Sequence, residues 1–204
     1  MKATRDTIPS DLDPLTRARI AELADEGMRI FDRFESDVRQ REFHPFIPAD
    51  YEMVLRELVA LRAPGLSFLE WGSATGVITI MADILGYDAC GIEIDAGLVD
   101  TARDLATRFS SGARFAAGSF LPMGYEWQAA GGDTRMGTIG TATSGYLALG
   151  RPLEDFDIVY GYPWGGEEDV MTDLMRAHGS PDALLLLHGG AGSLHRYRGG
   201  RRVD

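Results

Sequence analysis

Apolar positions along this chain fall into two patterns that alternate. Short, nearly continuous apolar runs read as strands: Leu66 to Glu70, Asp88 to Glu93, Arg114 to Phe120, Asp155 to Trp164 and Asp182 to His188. Between the second and third run, Leu98, Val99, Ala102, Leu105, Ala106 and Phe109 recur at helical spacing, so Asp95 to Phe109 predicts a helix covering one face of a sheet. Two more helices are expected upstream. Ser10-Asp-Leu-Asp13 offers a hydroxyl and a carboxylate as caps for the first, Pro14 suits its first turn, and Leu15, Ile20, Leu23, Ile30, Phe31 and Phe34 give an apolar face running to about Val38. After the extended break His44-Pro-Phe-Ile-Pro48, Asp50 caps the second, which presents Val54, Leu55, Leu58 and Leu61. Buried-type strands alternating with helices predict an α/β fold, a doubly wound, mostly parallel sheet with helices on both faces. A helical extension over residues 1–45 precedes the main domain, 46–204.

The most specific chemistry lies where the first strand ends. Leu66-Ser-Phe-Leu-Glu-Trp-Gly-Ser-Ala-Thr-Gly76 runs from strand through a tight turn into a helix entering at about Thr75. Gly72 lets a ligand lie against the backbone, and Gly76 lets the helix pack close to the strand. A dinucleotide fingerprint laid on Gly72 would need glycine at Ala74 and Val77, and it seats a pyrophosphate that the Glu70 carboxylate would repel. Glu70 suits a cationic ligand, either by direct hydrogen bonding or by holding the loop amides.

On Glu70, Gly72 and Gly76 the chain resembles the class I S-adenosylmethionine-dependent methyltransferases, whose first motif runs acidic-x-Gly-x-Gly-x-Gly. Ala74 stands where that motif has its middle glycine. The resemblance covers roughly Pro45 to Gly190 and implies a Rossmann-like sheet and S-adenosylmethionine as cofactor. It assigns the methionine part to Glu70 and the loop Gly72, Ser73, Ala74, Thr75 and Gly76. Glu93, ending the second strand, goes to the ribose diol, and Ile94 to one face of the adenine. Gly118-Ser119-Phe120 stands where the family often carries Gly-Asp-Phe, which gives Ser119 and Phe120 to the adenine. The alternative for Glu93 is a solvated strand end.

The crevice of an open parallel sheet lies at the carboxyl ends of its strands, so acceptor chemistry is sought there. Tyr160-Gly-Tyr-Pro-Trp164 ends the fourth strand, with Tyr160 and Tyr162 on one face. The family's amino-methylating members place Asn or Asp before Pro-Pro-aromatic; here neither register supplies it, which argues against a base or glutamine N-methyltransferase. Tyr160, Tyr162 and Trp164 instead offer an aromatic-lined acceptor pocket, or simply close the core. His188 ends the fifth strand as a candidate general base, against a structural role. Methyl transfer is an in-line displacement whose rate comes mainly from positioning, so a base is not obligatory. Phe46 and Tyr51 are lid candidates, as related enzymes use the segment before the first strand over the site.

With 204 residues, 45% of them hydrophobic, the chain is long enough for one enzyme-sized core. Its 20 basic and 31 acidic residues leave a net charge of -11, a poor match to nucleic acid. The lone cysteine, Cys90, falls within the second strand and reads as a small core residue; His44, His178, His188 and His195 show no metal spacing. Neither a membrane span nor a signal peptide is read, so a cytoplasmic enzyme is expected. The Gly- and Thr-rich stretch 131–150 is a flap, a hairpin or a mobile loop. Only sixteen residues follow His188, too few for the usual closing helix and hairpin. Ser193 to Arg198 offers one edge strand, with a loose tail after it. Either the sheet is abbreviated at that edge, or the insert, the first helix or a second subunit covers it, which leaves a homodimer open. The expected function is methyl transfer to a small-molecule acceptor. Protein methylation, a non-catalytic cofactor-binding protein and, last, a nicotinamide dehydrogenase are the alternatives.

Overall fold

The computed structural model describes residues 8–39, 46–126, 142–164 and 166–204. Helix α1, Pro14–Phe34, starts where the sequence places it: Asp13 accepts from the amides of Leu15 and Thr16 at 3.0 Å, with Pro14 in the first turn. It continues as a π-helical turn, Glu35–Arg39. Helix α2, Tyr51–Leu61, is capped by Asp50, which accepts from Met53 N. The chain then alternates: β1 Ser67–Trp71, α3 Val77–Ile84, β2 Asp88–Glu93, α4 Ala96–Arg108, β3 Arg114–Ala117, α5 Gly145–Leu149, β4 Ile158–Gly161, α6 Glu167–His178 and β5 Leu184–Gly189. Two further strands close it, β6 Ser193–Arg198 and β7 Arg201–Arg202.

The sheet order is β3-β2-β1-β4-β5-β6-β7. The pairs among β1 to β5 are parallel, whereas β6 and β7 add antiparallel at the edge. Successive side chains divide the core between the two faces, as a pleated strand requires. Phe68 and Tyr160 pack under α1 to α4, while Leu69, Trp71, Cys90 and Val159 pack on the other face with α6 residues such as Met171 and Leu174. At the amino ends of β1 and β4, Asp157 accepts from Ser67 N at 2.8 Å and from Ser67 Oγ at 2.7 Å, locking the central pair.

Four local expectations change. Leu15, assigned to the buried face of α1, is 72% exposed in its first turn, whereas Ile20 and Leu23 are buried as expected. The third strand stops at Ala117, where Gly118 takes a φ of 151°, and Ser119 then bridges to Ser144. Residues 131–141 of the Gly- and Thr-rich stretch lie outside the described residues. Its end is fixed rather than loose: Tyr146 on α5 is buried and accepts from Trp71 Nε1 at 2.8 Å. Nor is the tail loose, since β6 covers the whole of β5 and Arg196 makes a two-pronged ion pair to Glu57 of α2 at 2.6 and 2.7 Å. A short hairpin therefore supplies the antiparallel edge without a closing helix. With β5 covered by the chain itself, the edge gives no reason for a homodimer.

Candidate functional site

The turn after β1 is held from below by β2. The amides of Gly72 and Ser73 both donate to Ile92 O, at 2.9 and 3.0 Å. Room for this approach comes from Gly91, where a Cβ would stand 2.7 Å from both Cβ and Oγ of Ser73. Gly76 closes the turn at φ 77° and caps α3; a Cβ there would stand 2.6 Å from the Phe115 ring. Ala74 also lies in the left-handed region, at φ 44°, in the place where the family motif has glycine.

Glu93 binds this turn to the end of β2. One carboxylate oxygen accepts from Ala74 N at 2.8 Å and the other from Asp95 N at 2.9 Å. At 7% exposure it is not a solvated strand end. Burial pushes its pKa up, and the backbone amides pull it back. Ile94, the next residue, is 37% exposed and free to lie against a flat ligand.

Glu70 is more deeply set, on the α3 side of the sheet. Oε2 accepts from Thr79 N at 2.9 Å and from the Thr79 hydroxyl. Burial pushes its carboxyl up to about 8, with the Thr79 hydrogen bonds opposing and Glu93 adding to the rise. Tyr160 is its register partner on β4. Both open onto a cleft whose wall includes Gly72, Ser73, Ala74 and Thr75 on one side, with Phe46, Tyr51 and Tyr162 also lining it. Phe46 is seated by edge contacts to Phe31 and Phe34 of α1, at 5.4 and 5.2 Å between ring centroids.

Several expected site residues stand elsewhere. Phe120 is 1% exposed and its side chain stacks on Trp71 at 5.2 Å, in the core. Ser119, also 1% exposed, turns its hydroxyl back to accept from Leu121 N. Both follow β3, which ends at Ala117. Trp164 is not on the cleft wall; its amide donates to Glu167, which begins α6. His188 stacks on Tyr162 with centroids 4.0 Å apart and planes 19° apart, and it is Tyr162 that reaches the cleft. Burial lowers the His188 pKa, which favours the neutral ring, and among the described residues neither ring nitrogen has a hydrogen-bond partner. His178 packs edge-on against Tyr125, His195 meets Ser193, and His44 lies outside the described residues. Thr79 is the part of the site that sequence reasoning missed, since nothing local marks a threonine nine residues beyond a strand-end acid.

The polar atoms of the cleft fit a ligand with both a cationic and an anionic end. Tyr160 OH and Ser73 Oγ are buried without a hydrogen-bond partner, and Glu70 has no cation against it among the described residues.

A parallel sheet centred on β1 and β4, a glycine turn after β1, a carboxylate ending β2 and an antiparallel edge define the class I Rossmann-like methyltransferase fold. The chain has this fold. An RNA methyltransferase from Salinibacter ruber, solved in complex with S-adenosyl-L-homocysteine, superposes with a TM-score of 0.52 at 16% identity, over 78% of this chain and 97% of that one. A precorrin-6y C5,15-methyltransferase from Geobacter metallireducens GS-15 gives 0.48 at 17% identity, over 74% and 68%. A TehB-like SAM-dependent methyltransferase from Corynebacterium glutamicum ATCC 13032 Kitasato gives 0.46 at 15%, over 84% and 74%. No protein-family model and no curated protein sequence matches the chain.

Proposed function

We propose that this protein is an S-adenosylmethionine-dependent methyltransferase of a small-molecule acceptor. The observation that supports this best is the cleft at the carboxyl ends of β1 and β4, where the glycine turn, Glu70 and Tyr160 converge. S-adenosylmethionine would supply a sulfonium methyl group for in-line displacement. Gly72 to Gly76 and Glu70 would hold its methionine part, Glu93 its ribose through the lone pairs left free by the two amides, and Ile94 one face of its adenine. Most of the rate would come from positioning and from excluding water, for which Phe46, Tyr51 and Tyr162 line the cleft. Tyr162 is the candidate acceptor contact. His188, stacked behind it, can set the angle of its ring and take a proton only if the acceptor reaches past Tyr162.

A small acceptor is favoured over RNA because the net charge of -11 opposes a polyanion, although the Salinibacter protein of the same fold is an RNA methyltransferase. An acidic surface would also accept a basic protein segment. A non-catalytic binder is supported by the missing amide before Pro163-Trp164 and by the withdrawal of His188 behind Tyr162. Residence in the cytoplasm belongs to the same proposal; among the described residues no helix is long and apolar enough to cross a membrane.

Titration calorimetry with S-adenosylmethionine, S-adenosylhomocysteine and NAD tests the reading. Binding of the two sulfur compounds and not of NAD is expected, with formation of S-adenosylhomocysteine once an acceptor is supplied. Folded, ligand-free protein that binds neither sulfur compound would remove the cofactor assignment. Binding without turnover across amine, phenol and basic-peptide acceptors would favour the non-catalytic alternative.

A further inference from the structure

Among the described residues four aromatic rings line the cleft: Phe46 before α2, Tyr51 at its start, and Tyr160 and Tyr162 at the end of β4. Tyr162 stacks on His188 with centroids 4.0 Å apart, and Phe46 is held by the rings of Phe31 and Phe34 on α1. These two rings are therefore ordered before a ligand arrives, which lowers the cost of binding against them. An aromatic ring carries negative charge density on its faces and attracts a cation there.

The charged groups point the same way. No lysine, arginine or histidine lines the cleft among the described residues, and the carboxyl group in its wall is Glu70. Asp50, which caps α2, lies close enough for its charge to act on Tyr160 and His188. An anionic nucleophile, such as a phenolate or a carboxylate, finds no positive group there to replace its lost hydration. A neutral amine meets the opposite condition. Its lone pair forms the N–C bond as the S–C bond breaks, the S–C electron pair stays on sulfur, and the positive charge passes from sulfur to nitrogen. The cleft thus holds a cation beside aromatic rings at both ends of the step, and no residue has to take a proton. An amine that arrives as an ammonium leaves its proton in solvent first. The missing amide before Pro163-Trp164 bears on the planar NH2 of a base or carboxamide and not on an alkylamine, whose nitrogen is pyramidal.

We infer that the acceptor is a small alkylamine, held by cation–π contact with Tyr162 and Phe46 as positive charge develops on its nitrogen. This deepens the proposed methyltransferase reading and rests on it. Tyr162, fixed by its stack on His188, is the residue that selects an amine over an anionic acceptor.

The test is calorimetry on protein saturated with S-adenosylhomocysteine, so that the cofactor site is filled. Three probes share one branched head: choline, its neutral carbon isostere 3,3-dimethylbutan-1-ol, and the anion 3,3-dimethylbutanoate. Choline stands in for a fully methylated product. It is expected to bind about tenfold more tightly than the neutral isostere, and the anion not to bind. Tyr162→Leu is expected to remove the preference for choline, and Tyr162→Phe, which keeps the ring, to retain it; S-adenosylhomocysteine binding shows that each variant is folded. Equal affinity for choline and its isostere in the parent, tighter binding of the anion, or no binding of choline overturns this inference and leaves the cofactor reading intact. So does a preference for choline that Tyr162→Leu leaves unchanged. Failure of folded parent protein to bind S-adenosylhomocysteine overturns the two together.

Discussion

Glu93 shows how one side chain serves structure and binding together. Its two oxygens hold the amides of Ala74 and Asp95, so it fixes the glycine turn before any ligand arrives. Glu93→Ala leaves both amides without their acceptor and should lower folding stability by about 1–3 kcal/mol as well as weakening cofactor binding. Glu93→Gln, keeping one acceptor oxygen, should recover part of the stability. Urea denaturation of both variants checks this, and an alanine variant as stable as the parent would show that the turn holds itself. Glu70 makes a second prediction, in pH. Burial pushes its carboxyl up to about 8 in the folded state, against an ordinary 4.5. The folded state therefore holds this proton more tightly, a contribution complete below about pH 4.5 and lost as pH rises through about 8. Glu93, raised by burial, acts in the same direction. Stability should fall between about pH 5 and 8, and Glu70→Gln should flatten that fall and exceed the parent in stability at pH 8. Parallel urea-midpoint profiles for the two proteins would contradict it.

Among the elements, the helices were the most legible. Asp13, Asp50 and Asp95 each cap a helix with a side-chain oxygen, and the apolar stripe of α4 is buried at Leu98, Val99, Ala102, Leu105 and Ala106. Period and caps are local properties of the chain, so they survive the absence of a structure. Less legible was α5, five residues long and set behind a glycine-rich stretch. Its place is decided by Tyr146, whose hydroxyl receives the indole N–H of Trp71 from the neighbouring strand. Tyr146→Phe leaves that buried N–H unpaired and should destabilise the fold by about 1–3 kcal/mol, read by thermal or urea unfolding. A change within error would mean that α5 is docked by its apolar contacts alone.

Over the whole molecule, the C-terminal hairpin completes the sheet. Strand β6 pairs along all of β5, buries Tyr197 and reaches α2 through Arg196 and Glu57. The pair is part-exposed and contributes about 1 kcal/mol or less, so the larger effect is covering the edge. A chain ending at Gly192 leaves the apolar strand Leu184–Gly189 open along its hydrogen-bonding edge and is expected to aggregate in size-exclusion chromatography. A monomeric, cooperatively unfolding truncation would show the hairpin to be dispensable.

The chain by itself determined the alternation of strand and helix, the glycine turn after β1, and the two acids at the ends of β1 and β2. Each of these is written in neighbouring residues, where period, capping and turn chemistry act over a few positions. Tertiary structure alone decided which strand-end side chains share a cleft. It brought Tyr160 beside Glu70, set Tyr162 in front of His188, drew Phe120 into the core against Trp71, and folded the tail onto β5. Those outcomes depend on register, on where β3 stops and on competition for buried volume between residues far apart in sequence, and no local pattern encodes them.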